Sequence, residues 1–167
     1  MTLNPVLTTT YQFGNSHSQL KDKELLSNMS LSVTPIDFVA HWQRCGKTAD
    51  YLSSFQSFNF LERPKVNLIF SAVVNEMIEN AVKFNADNFK PILVDVNNYA
   101  NYLVIETKNI SDETQVNVFD TYLKKLDSND MESLFLDQLI SSAESDNNQS
   151  GLGIISLRKD FNADIWV

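Results

Sequence analysis

Residues 66–84 read VNLIFSAVVNEMIENAVKF, and this stretch decides the fold expected for the rest of the chain. At 100° per residue, its apolar side chains fall on one broad arc of a helix and its polar side chains on the other. The polar strip holds Glu76, Glu79, Asn80 and Lys83. Two interpretations stay open: a solvated helix face, or a strip that lines a ligand pocket. In a pocket, Glu76, Asn80 and Lys83 could orient a water molecule, coordinate magnesium and bind a phosphate.

Size and charge restrict the classes of protein to which the chain can belong. Its 167 residues suit one domain, and a hydrophobic content of 43% is ordinary for a folded protein. We expect a loose N-terminal arm over residues 1–22 and a single domain over residues 23–167. The net charge of −8 argues against nucleic acid, or an anionic membrane surface, as the main partner.

Cysteine and histidine are rare in the sequence. One cysteine, Cys45, and two histidines, His17 and His41, leave no internal disulfide and no zinc cluster of ordinary spacing. We expect Cys45 to be a small, partly buried side chain and not a nucleophile. The sequence also shows neither an apolar run of about 18 residues nor a signal-peptide pattern, so we expect a cytoplasmic protein with no membrane span.

Hydrophobic periodicity and capping residues predict the elements that precede and include the long helix. They are a strand near 24–35, a helix capped by Asp37 and ending near Gly46, helical spacing over 48–58, and the long helix over about 63–86 with Pro64 in its first turn.

The remaining sequence predicts a β-hairpin followed by helices. The predicted elements are strands at 91–96 and 101–108, a helix that Ser111 caps, a break at 127–130, a helix at 131–143, a polar loop at 144–150, a helix from Ser150 to about Phe161, and the start of a strand at 163–167. Either the chain is shortened after that start, or its last strand is short.

Gly151 and Gly153 lie where the polar loop meets the last predicted helix. Glycine allows close backbone approach, and a helix N-terminus favours anions through its free N–H groups. Gly-x-Gly alone is a weak signal, so a tight turn that leads into a packed helix is an open alternative.

The order of these parts resembles the GHKL ATP-binding superfamily, which includes histidine-kinase catalytic domains, gyrase-type ATPases, heat-shock chaperones and the serine kinases that act as bacterial anti-sigma factors. NEMIENAVKF (75–84) is similar to the family's N box, and SGLGI (150–154) loosely matches its second glycine box. The likeness covers most of residues 24–167. It implies an α+β fold, a two-layer α/β sandwich in which helices back a mixed, mostly antiparallel sheet.

The resemblance implies a role for each matching residue in the N box. Glu76 would be the catalytic carboxylate that orients water or acts as a general base. Asn80 would hold the Mg²⁺ ion that bridges the phosphates of ATP, and Lys83 would lie near the phosphate chain.

The glycine boxes complete the site that the resemblance implies. Gly151, Leu152 and Gly153 would supply backbone donors to the phosphates, with residues 110–150 as a lid. The family's first glycine box, Asp-x-Gly-x-Gly, is degenerate: Asn109-Ile110-Ser111 stands in its place. Asn109 could still accept a hydrogen bond from adenine through its amide oxygen.

The resemblance implies a bacterial signalling regulator that binds Mg-ATP and acts on a partner as an anti-sigma-factor-like serine/threonine kinase. The partner would be a sigma-like or anti-anti-sigma-like protein, and a homodimer is an open option. The alternative is a catalytically inactive GHKL-like scaffold that binds proteins without ATP turnover, which the degenerate glycine box favours. A histidine autokinase is disfavoured, because His41 lies on a short predicted helix just before the N box and His17 in the loose arm.

Overall fold

The computed structural model describes residues 24–99, 102–126, 131–144, 152–161 and 164–165, so the predicted arm at 1–22 lies outside the described residues. Within these ranges the fold is α+β, with one three-stranded antiparallel sheet and six α-helices. The strands are β1 (Ser27–Val33), β2 (Ile92–Asn98) and β3 (Leu103–Lys108). The helices are α1 (Pro35–Ala40), α2 (Gln43–Gln56), α3 (Arg63–Lys83), α4 (Glu113–Leu126), α5 (Met131–Glu144) and α6 (Leu152–Phe161), and a 3₁₀ turn at Ser57–Asn59 follows α2.

The sheet has the order β1-β2-β3 and confirms the predicted hairpin. Met29, Val96 and Ile105 are opposite one another across the three strands, which places them on the same face. That face packs against α2 and α3 to form the main core. Side chains in a strand alternate between faces, so the apolar alternation of the sequence fixes which face is buried.

Helix α3 is the long helix that the sequence predicts, with Pro64 in its first turn. Its apolar arc is buried in the main core. The buried members are Phe70, Val74, Ile78, Ala81 and Val82. Burial of a large apolar side chain contributes about 1.5–3 kcal/mol, so this arc supplies a substantial part of the folding free energy. The helix ends at Lys83, slightly before the expected residue 86.

The predicted boundaries of the first two helices are wrong. Pro35, not a residue after Asp37, begins α1, because the fixed φ of proline suits the first helical position. Helix α2 continues through Gly46, which was expected to end a helix. A glycine inside a helix costs about 1 kcal/mol, and burial of Cys45 and Leu52 of α2 in the main core outweighs that cost.

The predicted N-cap of α4 is also wrong by one residue. Asp112, not Ser111, accepts a hydrogen bond from the Gln115 backbone N–H at 2.8 Å. Ser111 instead donates its hydroxyl hydrogen to the carbonyl oxygen of Phe84 at 3.0 Å, at the end of α3. The Asp112 carboxylate, at the N-terminus of α4, also interacts favourably with the dipole of that helix.

The C-terminal helices have an apolar cluster of their own, centred on Leu123, Leu126 and Ile155. The predicted break at 127–130 and most of the predicted loop at 144–150 lie outside the described residues. Of the strand predicted at 163–167, only residues 164 and 165 are described, and neither belongs to a strand. Across the described ranges, no helix has both the length and the apolar character needed to cross a membrane.

Candidate functional site

The polar strip of α3 divides into two rows with different neighbours. The first row is Glu76 and Asn80, and the Asn80 amide nitrogen donates a hydrogen bond to Glu76 Oε1 at 3.0 Å. The second row is Glu79 and Lys83, together with Asn75, which precedes Glu79 by one turn and lies outside the predicted strip. In it Asn75 donates to Glu79 Oε1 at 2.9 Å, and the Lys83 ammonium lies 3.9 Å from Glu79 Oε2. Side chains four residues apart are neighbours on a helix, which produces both rows.

Glu76 meets the last helix of the described chain at Gly153. A β-carbon added at Gly153 would overlap the Glu76 carboxylate, so the carboxylate lies directly against the backbone of the first turn of α6. Unpaired N–H groups and the helix dipole make that turn favourable for a negative charge. The structure therefore brings Glu76, Asn80 and Gly153 to one place.

The location of Glu76 on α3 explains why this contact does not disturb the main core. At 100° per residue, Glu76 is roughly opposite Val74 and Ile78, which face the sheet. Glu76 and Asn80 are nevertheless half-buried. Helix α3 thus has its apolar arc on the sheet and its Glu76 row beside α6.

Tyr122 of α4 packs against the apolar cluster of the C-terminal helices, near the site, and the sequence did not reveal this position. Burial raises the pKa of the Tyr122 phenol well above its usual range, the Glu76 carboxylate raises that pKa further, and a hydrogen bond with the Ile155 backbone opposes the shift. The phenol is therefore close enough to Glu76 to feel its charge. Tyr122 adjoins the apolar Leu123, so its position in the sequence suggested packing only.

Lys83 belongs to the second row. Besides Glu79, its ammonium lies 5.7 Å from the centre of the Trp42 ring. These contacts hold the ammonium toward α2, the neighbour of the second row, and away from the α6 side where Glu76 meets Gly153.

Asn109 is located at the C-terminal end of α3. Its amide nitrogen donates to the Phe84 carbonyl oxygen at 3.0 Å and to Ser111 Oγ at 3.2 Å. Phe84 is one helical turn after Asn80, and the Phe84 N–H donates to the Asn80 carbonyl. Asn109 therefore lies near the Asn80 end of the strip, with its amide nitrogen engaged. Of the predicted glycine box, Leu152 is the half-buried first residue of α6, and Gly151 lies outside the described residues.

Two further observations define the chemistry available near α3. In the described ranges, no three or more His, Cys, Asp or Glu side chains are grouped so that they could hold a metal ion. A Mg²⁺ ion beside Asn80 would therefore need oxygen ligands from a substrate, as is usual for Mg²⁺ with phosphates. Cys45 is fully buried, and burial raises the pKa of its thiol to about 11, with Glu79 adding to the shift. Such a thiol is not a nucleophile at neutral pH.

Comparisons with protein-family models, with curated proteins and with solved structures found no match to this chain.

Proposed function

We propose that this chain is a GHKL-like regulator that binds Mg-ATP between α3 and α6 and transfers the terminal phosphate to a serine or threonine of a partner protein. The observation that carries the proposal is the contact between the Glu76 carboxylate and Gly153, with Asn80 hydrogen-bonded to the same carboxylate. It joins the helix that resembles the N box to the segment that resembles the second glycine box. On this proposal, the antiparallel sheet and the helices on it are part of a two-layer GHKL sandwich.

The residues at the site suit the parts of this reaction. Backbone N–H groups in the first turn of α6 would bind phosphate oxygens. The Asn80 side chain offers an oxygen ligand, which Mg²⁺ prefers, and bound Mg²⁺ would neutralise part of the phosphate charge. Glu76 would accept the proton of the attacking hydroxyl group. Because Glu76 now fills the space over Gly153, its side chain would turn aside when the phosphates bind.

The first test is a thermal unfolding experiment with matched variants. Millimolar Mg-ATP should raise the melting temperature by about 5–10 °C if the ligand reaches about 100 times its Kd, since it binds only the native state. Asn80→Ala should abolish the rise, whereas Asn75→Ala, an asparagine in the other row of α3, should preserve it. EDTA should also abolish the rise, because the phosphates and Glu76 carry the same sign of charge. No rise in the wild type, or an equal loss in both variants, would sink the proposal.

The second test separates binding from catalysis. Glu76→Gln keeps the shape of the side chain but cannot accept a proton, so the Mg-ATP rise should remain. Phosphate transfer to the partner, or slow hydrolysis of ATP, should fall by about 100-fold or more. If Glu76→Gln retains full transfer, Glu76 is not the general base.

The second candidate function is a scaffold that binds a partner without ATP turnover. Asn109 favours it, because its amide nitrogen is already held by the Phe84 carbonyl in place of a free adenine-reading carboxylate. A purified partner that stays bound at equal stoichiometry to the wild type and to Asn80→Ala, in nucleotide-free buffer, supports the scaffold. Release only after ATP is added supports the kinase.

A further inference from the structure

A groove of about 820 Å³ runs between α2 and α3, on the side of α3 that carries the second row. The α3 wall includes Asn67, Ser71, Asn75 and Glu79, each four residues after the previous one. Residues at four-residue spacing form a continuous ridge along a helix. We call these four residues the acceptor ridge. It is separate from Glu76 and Gly153, and the proposed nucleotide site uses none of its members.

The acceptor ridge has hydrogen-bonding capacity that the described protein leaves unused. The amide oxygens of Asn67 and Asn75 are buried and have no hydrogen-bond partner. Two donors of the ridge, in contrast, are engaged: Asn75 donates to Glu79, and Ser71 donates to Asp50 Oδ1 at 2.6 Å. Since a buried acceptor without a partner is unfavourable, the two amides would gain by turning outward to a ligand that brings hydrogen-bond donors.

The charges of the groove point to positively charged donors. Asp50 on the α2 wall and Glu79 on the α3 wall are its acidic members, and Lys83 offsets one of them at the end of the groove. Trp42 and Leu68 add exposed apolar surface, with 39% and 73% of each residue accessible. Acidic and apolar surfaces together suit lysine and arginine, whose long stems pack on apolar groups while the cationic ends pair with carboxylates.

We propose that the groove between α2 and α3 binds a helix of a partner protein whose facing row carries lysine or arginine at four-residue spacing. Successive members of the acceptor ridge are about 6 Å apart along α3, as are residues i and i+4 of a partner helix. The whole ridge is about 18 Å long, which is the length of twelve helical residues. A single small cation would contact only part of it. A third helix can lie in the groove between two packed helices, with its own row of side chains beside the rows that line the groove.

The test uses synthetic alanine-based helical peptides of about 16 residues with the full 167-residue protein. One peptide carries four arginines at four-residue spacing, and its isomer has the same composition with the arginines distributed around the helix. Isothermal calorimetry should give a Kd at least tenfold lower for the first peptide. In a Trp166→Phe background, its binding should also shift the emission of Trp42, the one remaining tryptophan of the sequence.

Matched variants separate the groove from general attraction to an acidic protein. Asp50→Asn with Glu79→Gln removes two charges of the groove, keeps the side-chain shapes, and should weaken the first peptide at least tenfold. Asp37→Asn with Glu113→Gln removes the same charge elsewhere on the surface and should change its Kd less than twofold. Equal binding of the two peptides, or equal effects of the two double variants, overturns the proposal. The double variant Asp50→Asn with Glu79→Gln should retain the Mg-ATP rise in melting temperature. Peptide binding in the groove is then tested separately from the proposed nucleotide site.

Discussion

The carboxylate of Glu76 occupies the space in which a side chain on Gly153 would begin. The two residues belong to helices whose apolar side chains enter different clusters, since α3 packs on the sheet and Ile155 of α6 packs with Leu123 and Leu126. Their contact therefore joins the two parts of the described fold. It also means that a residue larger than glycine fits at position 153 only if the Glu76 carboxylate moves, since φ there is not in the left-handed region.

Gly153→Ala should move Glu76 without unfolding the protein. The added β-carbon overlaps the flexible end of the Glu76 side chain, which can rotate away, and alanine gains up to about 1 kcal/mol of helix propensity. We expect a change in the free energy of unfolding of no more than about 1 kcal/mol, measured in urea, together with loss of the proposed Mg-ATP response.

The control for this prediction is a double-mutant cycle with Glu76→Ala. In that background the overlap is absent, so Gly153→Ala should stabilise the protein by about 0.5–1 kcal/mol. If Gly153→Ala has the same effect in both backgrounds, the two side chains do not compete for this space.

Asn85→Ala should lower the stability of the protein strongly. Asn85 is 7% exposed; its amide donates to the carbonyls of Asp87 and Lys90, and its oxygen accepts from the Ile110 N–H at 2.9 Å. Removal of this side chain takes away the partner of the Lys90 carbonyl and of the Ile110 N–H, whereas the Asp87 carbonyl keeps its hydrogen bond from the Lys90 N–H. We expect the free energy of unfolding to fall by about 2–4 kcal/mol, measured by urea denaturation.

Asn109→Ala is the matched control for Asn85→Ala. Both asparagines tie the end of α3 to the segment after β3, but Asn109 is exposed, so water can replace its hydrogen bond to Phe84. We expect a loss of about 0.5–1 kcal/mol. Comparable losses in the two variants would show that Asn85 has no special part in the connection.

The sequence was sufficient to predict α3 and the hairpin from apolar periodicity, whereas the meeting of Glu76 with Gly153 was implied only by the resemblance of their two motifs. It did not predict the path of α2 through Gly46, since the packing of Cys45 and Leu52 against the sheet and α3 overrides a local preference to end the helix. Tyr122 was missed for a similar reason: only the folded chain shows that α4 brings this phenol to Glu76.

The sequence also did not predict that the polar strip of α3 divides into two rows with different neighbours. Glu76, Asn80 and Lys83 lie on one arc of a helical wheel, yet α6 meets the first two while Lys83 pairs with Glu79 on the side of α2. Which neighbour covers each part of an arc is a tertiary property. The periodicity of one helix therefore fixes the arc but not its partners.

The stability of the protein should fall above pH 9, with Cys45 as one identified cause. Burial raises the pKa of its thiol from 9.0 to about 11, so the folded state keeps a proton that the unfolded state loses. This contribution is fully present below pH 9 and is lost as the pH rises to about 11, at up to about 1.4 kcal/mol per pH unit. Tyr122, whose pKa is also raised by burial, should extend the loss to higher pH. Urea unfolding between pH 7 and 11 measures the slope.

Cys45→Ala is the variant that isolates the thiol, because the sequence has one cysteine. Between pH 9 and 10 its stability should fall less steeply with pH than that of the wild type, whereas Tyr122→Phe should change the slope mainly above pH 10. Iodoacetamide should label the wild type at pH 8 much more slowly in the folded state than in urea, and mass spectrometry then reports Cys45 alone. Rapid labelling of the folded protein, or identical slopes for Cys45→Ala and the wild type, would contradict a buried thiol with a raised pKa, since both effects require the neutral form to be favoured by the fold.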